Sequence, residues 1–116
     1  MLKSPINYLK HILDECNFIV SISEQISDYD NFISDNVLKR AVTRSLEIIG
    51  EATKNITIDY KLKWGDISWK EMAGMRDKLI HDYIGVNYKI VWDVAINKIP
   101  LLKTQIENVI ENDKFD

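Results

Sequence analysis

Apolar residues recur every three or four positions along most of this sequence, which is the spacing of one face of an α-helix. The pattern predicts helices over about residues 5–27, 36–56 and 69–83, and a fourth over about 88–110. With 4 glycines and 2 prolines, the chain lacks the turn residues that β-sandwiches and barrels need. We therefore expect an all-α fold, an antiparallel four-helix bundle with a short third helix, in one domain spanning residues 1–116.

Boundary signals accompany each predicted helix. Ser4 and Pro5 are typical of an N-cap followed by proline at the first helical position. Ser68 with glutamate three residues later fits a capping box, and Asn87 can cap the fourth helix. Pro100 should kink or restart that helix.

The segments between the helices read as turns and loops. Residues 28–35 are polar and predict a turn, and residues 57–67 break the helical period and predict a loop. Gly85 is predicted to end the third helix. Several helices carry apolar residues on more than one side, which predicts that a second copy of the chain covers part of this surface.

The bulk chemistry excludes several protein classes. A single cysteine, Cys16, excludes an intrachain disulfide and an all-cysteine metal cage. The sequence has no apolar signal segment and no stretch long enough to cross a membrane, so we expect a cytoplasmic protein. The net charge of -3 argues against a protein that coats long DNA. Residues 39–89 nevertheless hold ten basic and seven acidic side chains, against five and eleven elsewhere.

Arg76, His81 and Tyr83 lie within eight residues near the end of the predicted third helix. Each also has an ordinary structural interpretation, as a surface charge, a helix-end residue or a core aromatic. At about 100° per residue, Arg76 and Tyr83 share a helix face, whereas His81 lies about 140° from Arg76. Asp77 lies one turn before His81 and can fix the tautomer of its ring. Arg76 and His81 then meet only if the helix end is distorted or across a two-fold axis.

The Arg-x4-His-x-Tyr pattern at Arg76, His81 and Tyr83 resembles the signature of the HEPN superfamily, and specifically of HepT-like toxins. The flanking sequence is similar as well. It includes Arg44–Ala52 in the second helix, Trp69 before the Met72–Arg76 run, and Ile90–Asp93 in the fourth helix. The resemblance extends over nearly the whole chain.

The resemblance implies a small all-helical endoribonuclease, the toxin of a toxin–antitoxin pair. Members of that family are homodimers whose two Arg/His motifs face each other in one cleft and cut RNA without a metal or other cofactor. The implied partner is an MNT-type nucleotidyltransferase antitoxin, which can attach AMP to the motif tyrosine, here Tyr83. The product expected of such cleavage is a 2′,3′-cyclic phosphate.

The chemistry of the motif residues agrees with this resemblance. Histidine, with a pKa near about 6.5, can act as acid or base near neutral pH, so His81 from two chains would supply both roles. Arg76 can bind phosphate oxygens through two parallel hydrogen bonds. A helix C-terminus would favour protonated His81. Asp77 and Asp82 add negative charge beside this site, and Asp77 and Tyr83 are candidate RNA-contacting residues.

Two other functions compete with this one. A non-catalytic HEPN-like adaptor for a nucleotidyltransferase would have no chemical reason to keep both Arg76 and His81. A histidine phosphotransfer bundle usually carries lysine three residues after its histidine, where this chain has Ile84.

Other polar and aromatic residues have simpler interpretations. Trp64 and Trp69 can stack on RNA bases, but we expect at least one to anchor the loop on the core. Glu47 and Glu51 have the spacing of a metal or acid/base pair, but basic residues on the same helix are the expected partners. His11 is expected at the surface.

Overall fold

The computed structural model describes residues 4–81 and 85–113, with residues 80 and 81 described by their backbone alone. Within these ranges the chain forms eight helices and one antiparallel two-stranded hairpin, which confirms the all-α class. The elements are α1 (Pro5–Gln25), α2 (Tyr29–Ser34), α3 (Asn36–Lys54), α4 (Ile58–Lys63), α5 (Trp69–Ala73), α6 (Met75–Leu79), β1 (Ile80–His81), β2 (Gly85–Val86), α7 (Tyr88–Asn97) and α8 (Ile99–Asn112).

The two long N-terminal helices begin at side-chain caps, as predicted for the first of them. The Ser4 hydroxyl accepts a hydrogen bond from the Ile6 N–H at 3.4 Å, with Pro5 in the first turn of α1. The Asp35 carboxylate accepts from the Leu38 N–H at 2.9 Å at the start of α3. These acceptors satisfy N–H groups that have no partner inside a helix.

The core lies where α1 packs against α3 and α8, and where α7 packs against α3 and α8. α1 buries Leu9, Ile12, Cys16, Ile19 and Ile22 along one face. The side chains with almost no exposure include Phe32, Leu46, Ile49, Leu79, Val91, Ile99 and Ile106. Burial of this kind is the main stabilising contribution to a domain of this size.

The predicted turn over 28–35 is wrong, because α2 forms there. Asp28 caps it by accepting from the Asn31 N–H at 2.8 Å. Phe32 is fully buried, and its ring centroid lies 4.9 Å from that of Trp92. The cap and this one core contact stabilise a helix too short to form alone.

The loop predicted over 57–67 instead contains α4. The Tyr60 hydroxyl donates to Asp113 at 2.7 Å, and the Lys63 ammonium group lies 2.7 Å from the same carboxylate. These contacts fasten α4 to the end of α8. The expected aromatic anchor is confirmed, because Trp69 is buried and its Nε1 donates to the Trp64 carbonyl at 3.0 Å.

The continuous third helix predicted over 69–83 is wrong. It is interrupted at Gly74, which separates α5 from α6, and α6 ends at Leu79. Ser68 is the N-cap residue of α5 but makes no capping hydrogen bond through its side chain, so the capping box is not formed. Gly85 does not end a helix: it lies in β2 with φ of +87°, a conformation that favours glycine.

The fourth predicted helix is divided as the proline indicated. α7 ends at Asn97 and α8 starts at Ile99, with Pro100 in its first turn. Asn87 caps α7 by accepting from the Ile90 N–H at 3.3 Å, which confirms the predicted cap. Among the described residues, no helix combines the length and apolar character needed to cross a membrane.

Candidate active site

α6 is a five-residue helix that presents the motif arginine to solvent. Met75 and Leu79, at its two ends, are buried at 6% and 0% exposure and attach the helix to the core. Residues four apart lie on one helix face, and in α6 that face is packed on the core. Arg76, Asp77 and Lys78 are accordingly exposed.

Gly50 in α3 allows α5 and α6 to lie close to α3. A Cβ at this position would lie 3.0 Å from the carbonyl oxygen of Met72 and 3.7 Å from the Cβ of Met75. The residue next to Met75 is Arg76, so the glycine helps to set where the arginine lies. We did not predict this role. The signal was available, since glycine inside a helix costs about 1 kcal/mol relative to alanine.

The backbone of His81 lies in a hairpin rather than in a helix. Ile80 pairs with Val86, and His81 pairs with Gly85. The Asn87 N–H extends the hairpin by donating to the Leu79 carbonyl at 2.8 Å. Asn87 therefore connects the end of α6 to the start of α7.

The predicted helical relationships within the motif are wrong. Because α6 ends at Leu79, Asp77 and His81 are not one turn apart on a shared helix, and the 140° offset from Arg76 does not apply. The C-terminus of α6 is at Leu79, so His81 follows the helix end by two residues and does not lie in its last turn. The side chain of His81, together with Asp82, Tyr83 and Ile84, lies outside the described residues.

The exposed charges on and beside α6 are not neutralised by their described neighbours. Among the described side chains, Lys70, Arg76, Asp77 and Lys78 form no ion pair. Met75 and Leu79 fix α6 on the core, while Arg76 extends into solvent. An arginine in this position is able to bind an anion such as a phosphodiester through paired N–H donors.

The glutamates of α3 have the simpler role that was expected. Glu47 lies 3.5 Å from Arg44, and Glu51 lies 3.7 Å from Lys54. The part of the chain that the structure covers has no cluster of three or more histidine, cysteine or acidic side chains able to hold a metal ion.

The remaining reactive side chains lie apart from the motif. His11 is exposed on α1, as expected. Cys16 is fully buried, and burial raises the pKa of its thiol to about 12, with the nearby Glu15 charge adding to the effect. A neutral, enclosed thiol is a poor nucleophile, so Cys16 belongs to the core.

Comparison with known proteins identifies the family. A family model described as ribonuclease HepT-like matches residues 12–109. The chain belongs to the HepT-like ribonuclease family. The matched range contains Gly50, α6 and the whole hairpin, so the elements that position the motif are within the family's shared region.

Several relatives match over nearly their full length. A Caldanaerobacter subterraneus protein whose name assigns it provisionally as an RNase is 48% identical over 97% of this chain and 100% of its own. A Thermococcus cleftensis protein named probable ribonuclease HepT is 41% identical, covering 94% of this HepT-like chain and 98% of its own. A Methanocaldococcus jannaschii protein, also named provisionally as an RNase, is 43% identical over 90% of this chain and 86% of its own length. No solved structure matches the chain.

Proposed function

We propose that this chain is a metal-independent endoribonuclease toxin whose cleft is formed by two copies, each contributing Arg76 and His81. The observation that carries the proposal is an exposed Arg76 on a firmly attached α6, with no acidic partner among the described side chains, in a chain of the HepT-like ribonuclease family. The proposed product is a 2′,3′-cyclic phosphate, formed when the 2′-hydroxyl attacks the neighbouring phosphorus atom.

In this mechanism Arg76 binds the non-bridging phosphate oxygens. As the 2′-oxygen attacks, negative charge increases on those oxygens, and a fixed guanidinium stabilises it more strongly than it stabilises the starting diester. Its two parallel N–H donors also orient the phosphate, which a lysine ammonium does less well.

The two His81 side chains divide the proton transfers. A neutral imidazole from one copy takes the proton of the 2′-hydroxyl, and a protonated imidazole from the other copy gives a proton to the leaving 5′-oxygen. One histidine cannot hold both protonation states at once, which is the chemical reason for proposing a homodimer. Asp77 is proposed to line the cleft, where its carboxylate limits how tightly RNA phosphates bind.

Control of the toxin is proposed to act on the same site. An MNT-type nucleotidyltransferase antitoxin would transfer AMP from ATP to the hydroxyl of Tyr83, two residues after His81, with pyrophosphate as the leaving group. The added nucleotide brings bulk and negative charge to the place where RNA phosphates bind, which blocks the substrate by steric and electrostatic repulsion.

The direct test is cleavage of a labelled single-stranded RNA in the presence of excess chelator. We expect wild-type protein to cut, and His81→Ala and Arg76→Ala each to lose at least roughly 100-fold in rate. His11→Ala is the matched control, because it removes the other histidine of the chain from an exposed position and should cut normally. Cutting that stops with chelator, or that survives in His81→Ala, would overturn the proposal.

A further inference from the structure

A cleft of about 360 Å³ lies between the α5–α6 segment and the α7–α8 segment. Its walls are largely apolar and include Met72 and Met75 on one side and Ile90 and Val94 on the other. The volume falls within the range of roughly 300–1,000 Å³ that is typical of small-ligand pockets.

The cleft lies against α6, the short helix that also carries Arg76, although Arg76 itself does not line it. Met75 and Lys78 both line it, and both belong to the short helix that carries Arg76. A base bound in the cleft and a phosphate bound at Arg76 would then contact the same short helix.

Four of the six polar side chains that line the cleft lack partners in the described part of the chain, whereas Asp93 accepts from the Asn97 amide and Gln105 donates to the Asp66 carbonyl. No hydrogen bond or ion pair within that part engages the Ser68 hydroxyl, the Glu71 carboxylate or the ammonium groups of Lys78 and Lys98. Unpaired polar groups around an apolar pocket are the usual arrangement for orienting a small ligand.

We propose that this cleft binds one base of the RNA substrate, next to the bond that is cut, and that it prefers guanine. The proposal rests on the ribonuclease function proposed above and adds the sequence preference. The Glu71 carboxylate accepts hydrogen bonds only, and guanine alone among the four bases presents two adjacent N–H donors, N1–H and N2–H, on its Watson–Crick edge.

The other lining groups fit a nucleotide as well. The thioethers of Met72 and Met75 can contact the face of an aromatic ring. Lys78 and Lys98 place positive charge at the rim, where they balance the carboxylates of Glu71 and Asp93 and can contact the phosphates on either side of the bound base.

The test is to cleave a pool of random-sequence RNA and to sequence the fragment ends. For wild-type protein we expect guanine to be enriched roughly ten-fold at one fixed position beside the cut, as a paired carboxylate–base contact would give. Glu71→Gln should reduce that enrichment to less than about two-fold, because an amide group presents a donor to one guanine N–H. Glu107→Gln, an exposed change of the same kind on α8, should keep the wild-type preference.

The outcomes separate this proposal from the one on which it rests. If wild-type protein cuts RNA without base preference, or if Glu71→Gln keeps the full preference, the base site is wrong and the nuclease stands. If wild-type protein does not cut RNA, both fail.

Leu101, 62% exposed at the edge of the cleft, provides a further check. If Leu101→Asp converts a dimer into monomers, a second copy covers the cleft and the base site is overturned.

Discussion

A Cβ placed on Gly50 would lie 3.0 Å from the carbonyl oxygen of Met72, so α3 and α5 meet at a distance that suits glycine. This close contact lies near the motif in the sequence, because Met72 and Arg76 are only four residues apart. The separation of two helix backbones thus determines the position of the proposed phosphate-binding group.

Replacing Gly50 should therefore affect cleavage more than stability. In Gly50→Ala, the gain in helix propensity of about 1 kcal/mol offsets much of the crowding against Met72, so we expect the melting temperature to change little. A shift of α5 and α6 by a few tenths of an ångström should lower RNA cleavage several-fold, because catalysis depends steeply on geometry. Rates and thermal melts of the two proteins check this.

Gly65→Ala is the matched control for this change. The nearest atom to a Cβ at Gly65 is the Leu62 carbonyl oxygen at 3.6 Å, an ordinary contact. It should leave both rate and stability close to wild type. Wild-type cleavage by Gly50→Ala would contradict the positioning role of Gly50.

Asn87 has two separable contacts. Asn87→Ala removes only the side-chain cap of α7 and should cost about 1 kcal/mol of stability with little effect on cleavage. Asn87→Pro also removes the N–H that donates to the Leu79 carbonyl, so it should weaken the hairpin that carries His81 and lower cleavage further. Parallel measurements of unfolding and rate test this, and equal rates for the two variants would refute it.

The buried thiol predicts a stability loss at high pH. Because burial raises the pKa of Cys16 from 9.0 to about 12, the unfolded chain loses the thiol proton first. Its contribution is present below about pH 9 and is lost as pH rises toward 12. Between pH 8 and 11, wild-type stability should fall more than that of Cys16→Ala by about 2–3 kcal/mol, as measured by urea unfolding. If the unfolding free energies of wild type and Cys16→Ala fall equally over this pH range, burial does not raise the pKa of Cys16.

Tyr83 should be the residue that a cognate nucleotidyltransferase modifies. After incubation with an MNT-type transferase and ATP, mass spectrometry should detect AMP on the wild-type chain and cleavage should stop. Tyr83→Phe should gain no AMP and should stay active in the same mixture. Tyr88→Phe, which changes the tyrosine that follows Tyr83 in the sequence, should be modified as wild type. An adduct on any other residue would disprove the assignment.

The sequence predicted the long helices because their signals are local. The caps at Ser4 and Asn87 are hydrogen bonds to N–H groups two or three residues away, and Pro100 restricts the backbone beside it. Each of these predictions is confirmed. The helices α2 and α4 escaped prediction because their stability comes from distant contacts, such as the one between Phe32 and Trp92. A six-residue segment has too few internal hydrogen bonds to indicate a helix by itself.

The motif region was predicted less well for a related reason. Periodicity alone favoured a helix as far as residue 83. Instead, Ile80 pairs with Val86 and His81 pairs with Gly85 in a hairpin. The left-handed conformation at Gly85 allows this pairing, and sequence alone does not tell a helix stop from a hairpin residue. The exposure of Arg76 and Asp77 follows from which neighbours are buried, and that depends on the packed core.

The proposed cleft uses both copies of His81, and a mixed dimer tests this sharing most directly. A dimer of one wild-type and one His81→Ala subunit, isolated through two different affinity tags, should cut RNA at about one-hundredth of the wild-type rate or less, since acid and base are both required. A mixed dimer with one His11→Ala subunit should cut at the full rate. Half of the wild-type rate in the His81 mixed dimer would show that each subunit works alone and would contradict the account.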